Sequence, residues 1–344
     1  MKIFYSGVQY NNYDPQRGLS FEHNNFYLGL LNYPGAEVKY FPYDRILEVG
    51  KKRWNQELLE TVKKNPPDLL FCFMFTDEFD KNILKEISKL TTTLAWFADD
   101  HWRIYNYSRF YAPHFTWSVT TWSQAPATYG QYRIKNIIRS QWACNTRLWK
   151  PLPVGKEIEV SFVGQRTEER ASVVAQLREA GINVYTRGWG WPEGRASQED
   201  MVRIFSSSKI NLNINSTSKS FSLKSLGRLF LKRSGARITP SFDFINNFRS
   251  WRGLSVPQIK ARPFELAGCR AFIISGIADD MSRYYKENEE MVFYKNTDDL
   301  IGKLKYYLEH DKEREQIAQA AYERTLREHT YEKRFEDIFR KIGF

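Results

Sequence analysis

The sequence is short of cysteine, of acid and of long apolar runs, and each shortage excludes something. Cys72, Cys144 and Cys269 are its only thiols in 344 residues. They lie far apart and are odd in number, so a disulfide framework is excluded as the organising device and a reduced compartment is expected. The longest stretch without charge or strong polarity runs from Leu69 to Phe75, far below the ~20 residues of a membrane-crossing helix. The N-terminus moves from Met1-Lys2-Ile3-Phe4-Tyr5 straight into Gln, Asn and Asp. It lacks the apolar centre of a secretion signal, which makes a cytoplasmic location the expectation. No His or Cys recurs at metal-ligand spacing, so no metal is expected. Hydrophobic residues at 42% and charged residues at 26% exclude a disordered or fibrous chain.

What is abundant is aromatic and basic. Trp, Tyr and Phe reach 16%, and Lys and Arg exceed Asp and Glu by 51 to 40. Such an excess suits an anionic partner, whether nucleotide phosphates, nucleic acid or a membrane surface. Most of it lies between Ser216 and Arg262, where ten basic residues stand against Asp243 alone. Within that segment Leu223, Leu226 and Phe230 follow helical spacing, and Lys224, Arg228 and Lys232 form a ridge on another face. The spacing predicts a basic amphipathic helix over 222–233, ended near Ser234-Gly235-Ala236-Arg237. It is suited either to an anionic lipid surface or to core packing with a basic solvated face.

Short apolar runs alternate with helical patterns over most of the chain. Strands are expected at Lys2–Ser6, Ala36–Phe41, Leu69–Phe75, Thr93–Ala98, Trp117–Thr121 and Ile134–Arg139, separated by helices. That rhythm specifies βαβ units and a parallel sheet. A Pro-marked stretch, Lys150–Gly155, interrupts it, and the pattern restarts at Glu159–Val163. The reading is therefore α/β, with two Rossmann-like domains facing a cleft. They divide as 1–150 and 151–328, with a basic insertion at 216–262 in the second and 329–344 returning to the first. The cleft is the expected ligand site.

Four sets of residues carry candidate chemistry. Val160–Val163 runs through Gly164, Gln165 and Arg166 into a helix N-terminus. Its free backbone N–H groups and the Arg166 fork suit a diphosphate; otherwise this is an ordinary βα turn with a surface arginine. Lys260-Ala261-Arg262-Pro263-Phe264-Glu265 opens a short helix with cations at its start and a carboxylate one turn in, placed to accept bonds from vicinal hydroxyls or simply to be solvated. Asp99, Asp100 and His101 follow a buried strand, where one can serve as a general base or, for Asp99, as a helix N-cap. Asn211, Asn213 and Asn215 alternate along a strand and share a face; that row either faces the cleft or marks the end of the sheet.

The Val-Gly turn, the Arg-Pro-Phe-Glu-Leu-Ala-Gly-Cys helix and the closing His329-Thr330-Tyr331-Glu332-Lys333-Arg334 together resemble the C-terminal domain of GT-B glycosyltransferases, nearest to group-1 enzymes related to the spore-maturation protein CgeB. Ala95-Trp96-Phe97-Ala98-Asp99-Asp100 is similar to the Trp-x-x-Asp-Asp segment of those relatives, and Gln141–Pro151 to their interdomain segment. The resemblance implies that Glu265 holds a nucleotide ribose, that Arg166 meets the diphosphate with Arg262 as a further candidate, and that no metal is needed. Where the wider group has a second glutamate, eight positions upstream of Glu265, this chain has Pro257. The implied activity is sugar transfer from a nucleotide-sugar donor, held by the second domain with Gly164, Lys260 and Asn213 beside those groups. The acceptor is a bacterial surface glycan or a lipid-linked glycan, with the enzyme at the inner face of a membrane. A DNA-modifying glycosyltransferase, or a non-catalytic nucleic-acid or glycan binder on the same fold, is the alternative.

Overall fold

Apolar runs with both faces covered become central parallel strands, because only a sheet sandwiched by helices buries every side chain of a stretch such as Leu69–Met74. A computed structural model of the protein describes residues 1–215 and 226–344. Their chain falls into two units. The first holds Met1–Gln141, the described part of 218–256, and Arg334–Phe344; the second holds Trp142 to residue 215 and Pro257–Lys333.

The first unit carries a six-stranded sheet in the order β2-β1-β3-β4-β5-β6, formed by β1 (Lys2–Ser6), β2 (Glu37–Tyr40), β3 (Leu69–Met74), β4 (Thr92–Phe97), β5 (Trp117–Thr120) and β6 (Ile137–Arg139). All pairings are parallel, with Ile3 opposite Leu69 and Leu94 opposite Trp117. The helix Lys51–Lys64 buries Trp54, Leu58, Leu59 and Val62 on one stripe, the spacing of an amphipathic helix. Trp54 also donates from its indole to the Pro42 carbonyl at 3.0 Å. The helical stretch between β1 and β2 contains a wider turn at His23–Tyr27 before Leu28–Leu31. From that turn Phe26 meets Phe73 and Trp96 edge-on. Phe335, on the helix Tyr331–Ile342, packs against Phe26 and Phe71.

The second unit carries five parallel strands in the order β13-β12-β9-β7-β8. These are β7 (Ile158–Val163), β8 (Val184–Arg187), β9 (Ser208–Asn213), β12 (Ile273–Gly276) and β13 (Val292–Tyr294). Helices Glu168–Glu179 and Thr297–Glu309 supply Val174, Leu177, Leu300 and Leu304 to its core.

Two expectations about the basic segment change. It was assigned to the second domain, yet the described residues up to Val256 group with the first unit, and the division near residue 150 falls instead after Gln141. The helix expected over 222–233 does not run through its second half: residues 226–227 are helical and the chain then turns. Leu223 and Lys224 lie outside the described residues. Beyond the turn at 228–230, β10 (Leu231–Ser234) and β11 (Arg237–Pro240) form an antiparallel hairpin. Gly235 takes φ +55° at its tip, a conformation that costs glycine nothing and that reverses the chain in two residues. The helix Phe244–Gly253 follows, capped by the Asp243 carboxylate. It rests on the short helix Asp100–Arg103 with no room between the backbones: a Cβ on Gly253 would lie 2.2 Å from the His101 carbonyl oxygen.

Gly253→Ala is therefore expected to push the two helices apart. Overpacking of this kind costs about 1–3 kcal/mol. Thermal unfolding should show a clear drop, whereas Gly302→Ala, with open space around its Cβ position, should not.

Candidate functional site

In the second unit the carboxyl ends of β7, β9 and β12 gather charged and polar groups. At the end of β7 the chain passes Gly164 into the helix Glu168–Glu179, where the Thr167 hydroxyl accepts the Arg170 N–H at 3.3 Å. The turn is locked by three bonds. Gly164 N–H donates to Arg187, Arg166 N–H donates to Trp189, and the Trp191 indole donates to the Gly164 carbonyl. Only glycine fits at 188, since φ is +138° and a Cβ would lie 2.2 Å from that same carbonyl oxygen. Arg166 is exposed, with its guanidinium 5.8 Å from the Trp191 ring centre.

Arg170 was missed in the sequence. Its Nε and Nη2 donate to the Ile214 carbonyl at 3.3 and 3.2 Å, and Nη1 donates to Gln165. It thus ties the ends of β7 and β9 together. Burial lowers its pKa from the ordinary arginine value; Glu169 opposes that and nearby Arg262 adds to it. The signal was available, because Arg170 stands one helical turn beyond Arg166.

On the helix Arg262–Gly268, Arg262 Nη1 meets Glu265 Oε2 at 2.7 Å. The guanidinium lies over Phe205 and Trp149 at 5.1 and 5.7 Å. Glu265 is only 5% exposed, and burial raises its pKa while Arg262 opposes the rise. A carboxylate so placed has a partner, which a buried charge requires. Lys260 stands exposed just before this helix. The asparagine row bonds across the strands. Asn213 donates to Ser275 and Asn215, Asn215 donates to the Gly276 carbonyl, and Asn211 accepts from Ser161 and donates to Phe205. These bonds satisfy buried polar groups across β7, β9 and β12. Asn213 is a rung of that ladder.

In the first unit, a cavity of about 900 Å³ opens where β3 and β4 end, bounded among the described residues by the hairpin and the helix Phe244–Gly253. Asp99 lines it. This residue holds φ +60°, ψ +29°, a left-handed conformation that Asp tolerates better than most residues. Its backbone carbonyl, not its carboxylate, accepts the N–H groups of Trp102 and Arg103. Asp99 is thus the N-cap by position while its side chain makes no capping bond. The expectation that all three residues line a ligand site is corrected for the other two. Asp100 is fully buried and accepts the Tyr129 hydroxyl at 3.0 Å, and His101 is buried under Gly253; neither lines the cavity. The left-handed turn at Asp99 sends successive side chains to opposite sides.

With this geometry in hand, comparison places the fold. A family model described as "Glycosyl transferase-like" matches residues 233–340. No curated protein sequence matches the chain. Among solved structures, HepE from Anabaena in complex with UDP is 8% identical, covers 100% of both chains and superposes with a TM-score of 0.63. Sucrose-phosphate synthase from Thermosynechococcus elongatus is 9% identical over 99% of this chain and 98% of its own, with a TM-score of 0.62. The lipopolysaccharide outer core galactosyltransferase WaaB is 13% identical over 99% of this chain and 100% of its own, at 0.59. The two parallel-sheet units are those of the GT-B glycosyltransferase fold.

Asp100 yields a pH prediction. Burial pushes its pKa up to about 6 from an ordinary 3.8, with hydrogen bonds from Ser108, Thr120 and Tyr129 opposing. The folded state then holds this proton more tightly than the unfolded chain. Its contribution is fully present below pH ~4 and is lost as pH rises through about 6, a change of about 3 kcal/mol. Asp100→Asn cannot titrate. Urea unfolding at stepped pH should show wild type losing stability relative to the variant across that window, and a constant gap above it.

Proposed function

We propose that the chain is a glycosyltransferase that moves a sugar from a nucleotide-sugar donor to an acceptor hydroxyl. The observation that carries this reading is the buried Arg262–Glu265 pair with Arg170 nearby in the second unit of a GT-B fold. HepE, on the same fold, has been solved with UDP and with UDP-glucose. In our reading the second unit holds the donor. Glu265 accepts bonds from the ribose hydroxyls, and Arg166, Arg170 and Arg262 neutralise the leaving diphosphate beside the backbone N–H groups after Gly164. Such fixed cations act on charge that grows as the glycosidic bond breaks, and they need no reorganisation at that moment. Lys260 adds a cation at the rim, and Asn213 keeps β9 and β12 in register.

Asp99 is the base candidate for the acceptor hydroxyl, because of the three acidic and imidazole candidates it is the one beside a cavity. Asp100 and His101 serve to hold the segment in place. Membership of the CgeB-like group rests on the resemblance of the Trp-x-x-Asp-Asp and Arg-Pro-Phe-Glu-Leu-Ala-Gly-Cys blocks. Action on a surface or lipid-linked glycan at the inner membrane face is supported by the exposed side chains of residues 230–248, where Phe242 is 82% and Ile238 74% exposed among Lys232, Arg233 and Arg237. Apolar side chains ringed by cations suit an anionic lipid surface. The comparisons do not favour the nucleic-acid alternative.

A thermal-shift screen with UDP, GDP, ADP, CMP and dTDP identifies the base. A nucleotide at 100 times its dissociation constant adds ~2.7 kcal/mol. Glu265→Gln should fold and bind that nucleotide roughly tenfold to a hundredfold more weakly by calorimetry, since hydrogen bonds to a charged group contribute about 1.5–3 kcal/mol. An unchanged affinity would remove the ribose assignment.

A further inference from the structure

The cavity of the first unit has a chemistry that the transfer reaction alone does not require. Its walls bring Lys81, Arg103, Arg228, Lys232 and Arg233 together against Asp77, Asp99 and Asp243. Of the acids that line it, Asp77 is engaged by Lys51 and by the Ser234 hydroxyl, and Asp243 caps the helix that follows it. Asp99 acts on Arg228 only in part, and Arg103 opposes it. The balance is positive, so the complementary ligand is an anion.

Arg228 is the best placed of these cations. Its guanidinium lies 5.1 Å from the centre of the Trp102 ring, and desolvation there lowers its pKa. Arg103 is pinned by its bond to the Phe75 carbonyl and by the Tyr107 ring at 4.0 Å. A planar fork held against an aromatic ring is suited to two oxygens of a phosphate.

Part of the lining is apolar and continues outward. Leu231 and Ile238 line the cavity and are also among the large apolar side chains that face solvent. Phe230, Phe242, Phe244 and Ile245, from the same short stretch of chain, are exposed as well. Patches of this kind rarely persist on a soluble surface without a partner. A volume of about 900 Å³ admits a sugar-sized head.

We propose that this cavity binds the head of an amphiphilic phosphate, with the phosphate on Arg228 and Arg103 and the apolar chain leaving over Leu231 and Ile238. The acceptor, on the glycosyltransferase reading above, is then a lipid-linked phosphate rather than a neutral or soluble glycan. Asp99 lines the same cavity.

The test uses the full chain and dodecyl phosphate below its micellar concentration, with inorganic phosphate and dodecyl maltoside as the two partial ligands. Calorimetry should show dodecyl phosphate binding at least about tenfold more tightly than either. Arg228→Gln should weaken it by about tenfold or more, and the uncharged Ile238→Ser should weaken dodecyl phosphate while leaving inorganic phosphate unaffected. Both positions are exposed on the hairpin segment; should Arg228→Gln not fold, Arg228→Lys, which keeps the charge and loses the fork, carries the same comparison. Equal binding of inorganic phosphate makes this a plain anion site, equal binding of dodecyl maltoside makes it a plain apolar surface, and either overturns the proposal. Stabilisation by UDP is measured separately on wild type. Its absence would remove the glycosyltransferase reading and leave the amphiphile site standing, whereas UDP binding without dodecyl phosphate binding would do the reverse.

Discussion

The close approach of Gly253 to the His101 carbonyl is the constraint on which the first unit's cavity depends. With no side chain at 253, the helix Phe244–Gly253 lies against the backbone that follows β4. Asn247 then reaches three neighbours at once. Its amide donates to the Leu229 carbonyl and the Ser241 hydroxyl, and its oxygen accepts from Asn106. At the far end of the insertion, Gly235 N–H donates to the Thr76 hydroxyl and Ser234 to Asp77. Thr76 is itself held by Glu78, which is buried and also accepts the Tyr13 hydroxyl. A basic hairpin and helix thereby become two walls of a chamber whose other walls are the ends of β3 and β4.

The second unit is organised differently. Polar side chains on β7, β9 and β12 bond to one another, so the strand ends are held in register without an apolar layer at that level. Buried polar groups raise specificity when each is satisfied and cost stability when one is not. Here the ladder ends at Asn215 and Gly276, and Arg170 closes it by bonding the Ile214 carbonyl. The Arg262–Glu265 pair stands on a helix buried along most of its length. Cations fixed in this way are positioned before any ligand arrives, which is the property that stabilising a developing diphosphate demands.

Much of the α/β rhythm was legible because it depends on local pattern. β1 was placed at Lys2–Ser6 with the limits the structure shows. Runs apolar on both faces favour central strands, and long stripes every three to four residues favour helices. The candidate site was legible in part. Gly164, Arg166, Arg262 and Glu265 stand on elements whose ends the local sequence marks, so the elements that carry them were legible.

What the sequence determined by itself, then, was the set of parallel strands, the excess of positive charge and the residues at strand and helix ends. Tertiary structure alone decided three further matters. Leu231–Ser234 is a strand because Arg237–Pro240 supplies its backbone partners; its apolar and basic spacing suits a helix equally well. Asp99 rather than Asp100 lines the cavity because one left-handed residue turns the chain, and nothing local distinguishes two adjacent aspartates. The insertion belongs to the first unit because Gly253 and Gly235 meet backbone and side chains more than a hundred residues away in sequence. Such contacts depend on where distant segments are brought together, and local periodicity carries no record of that.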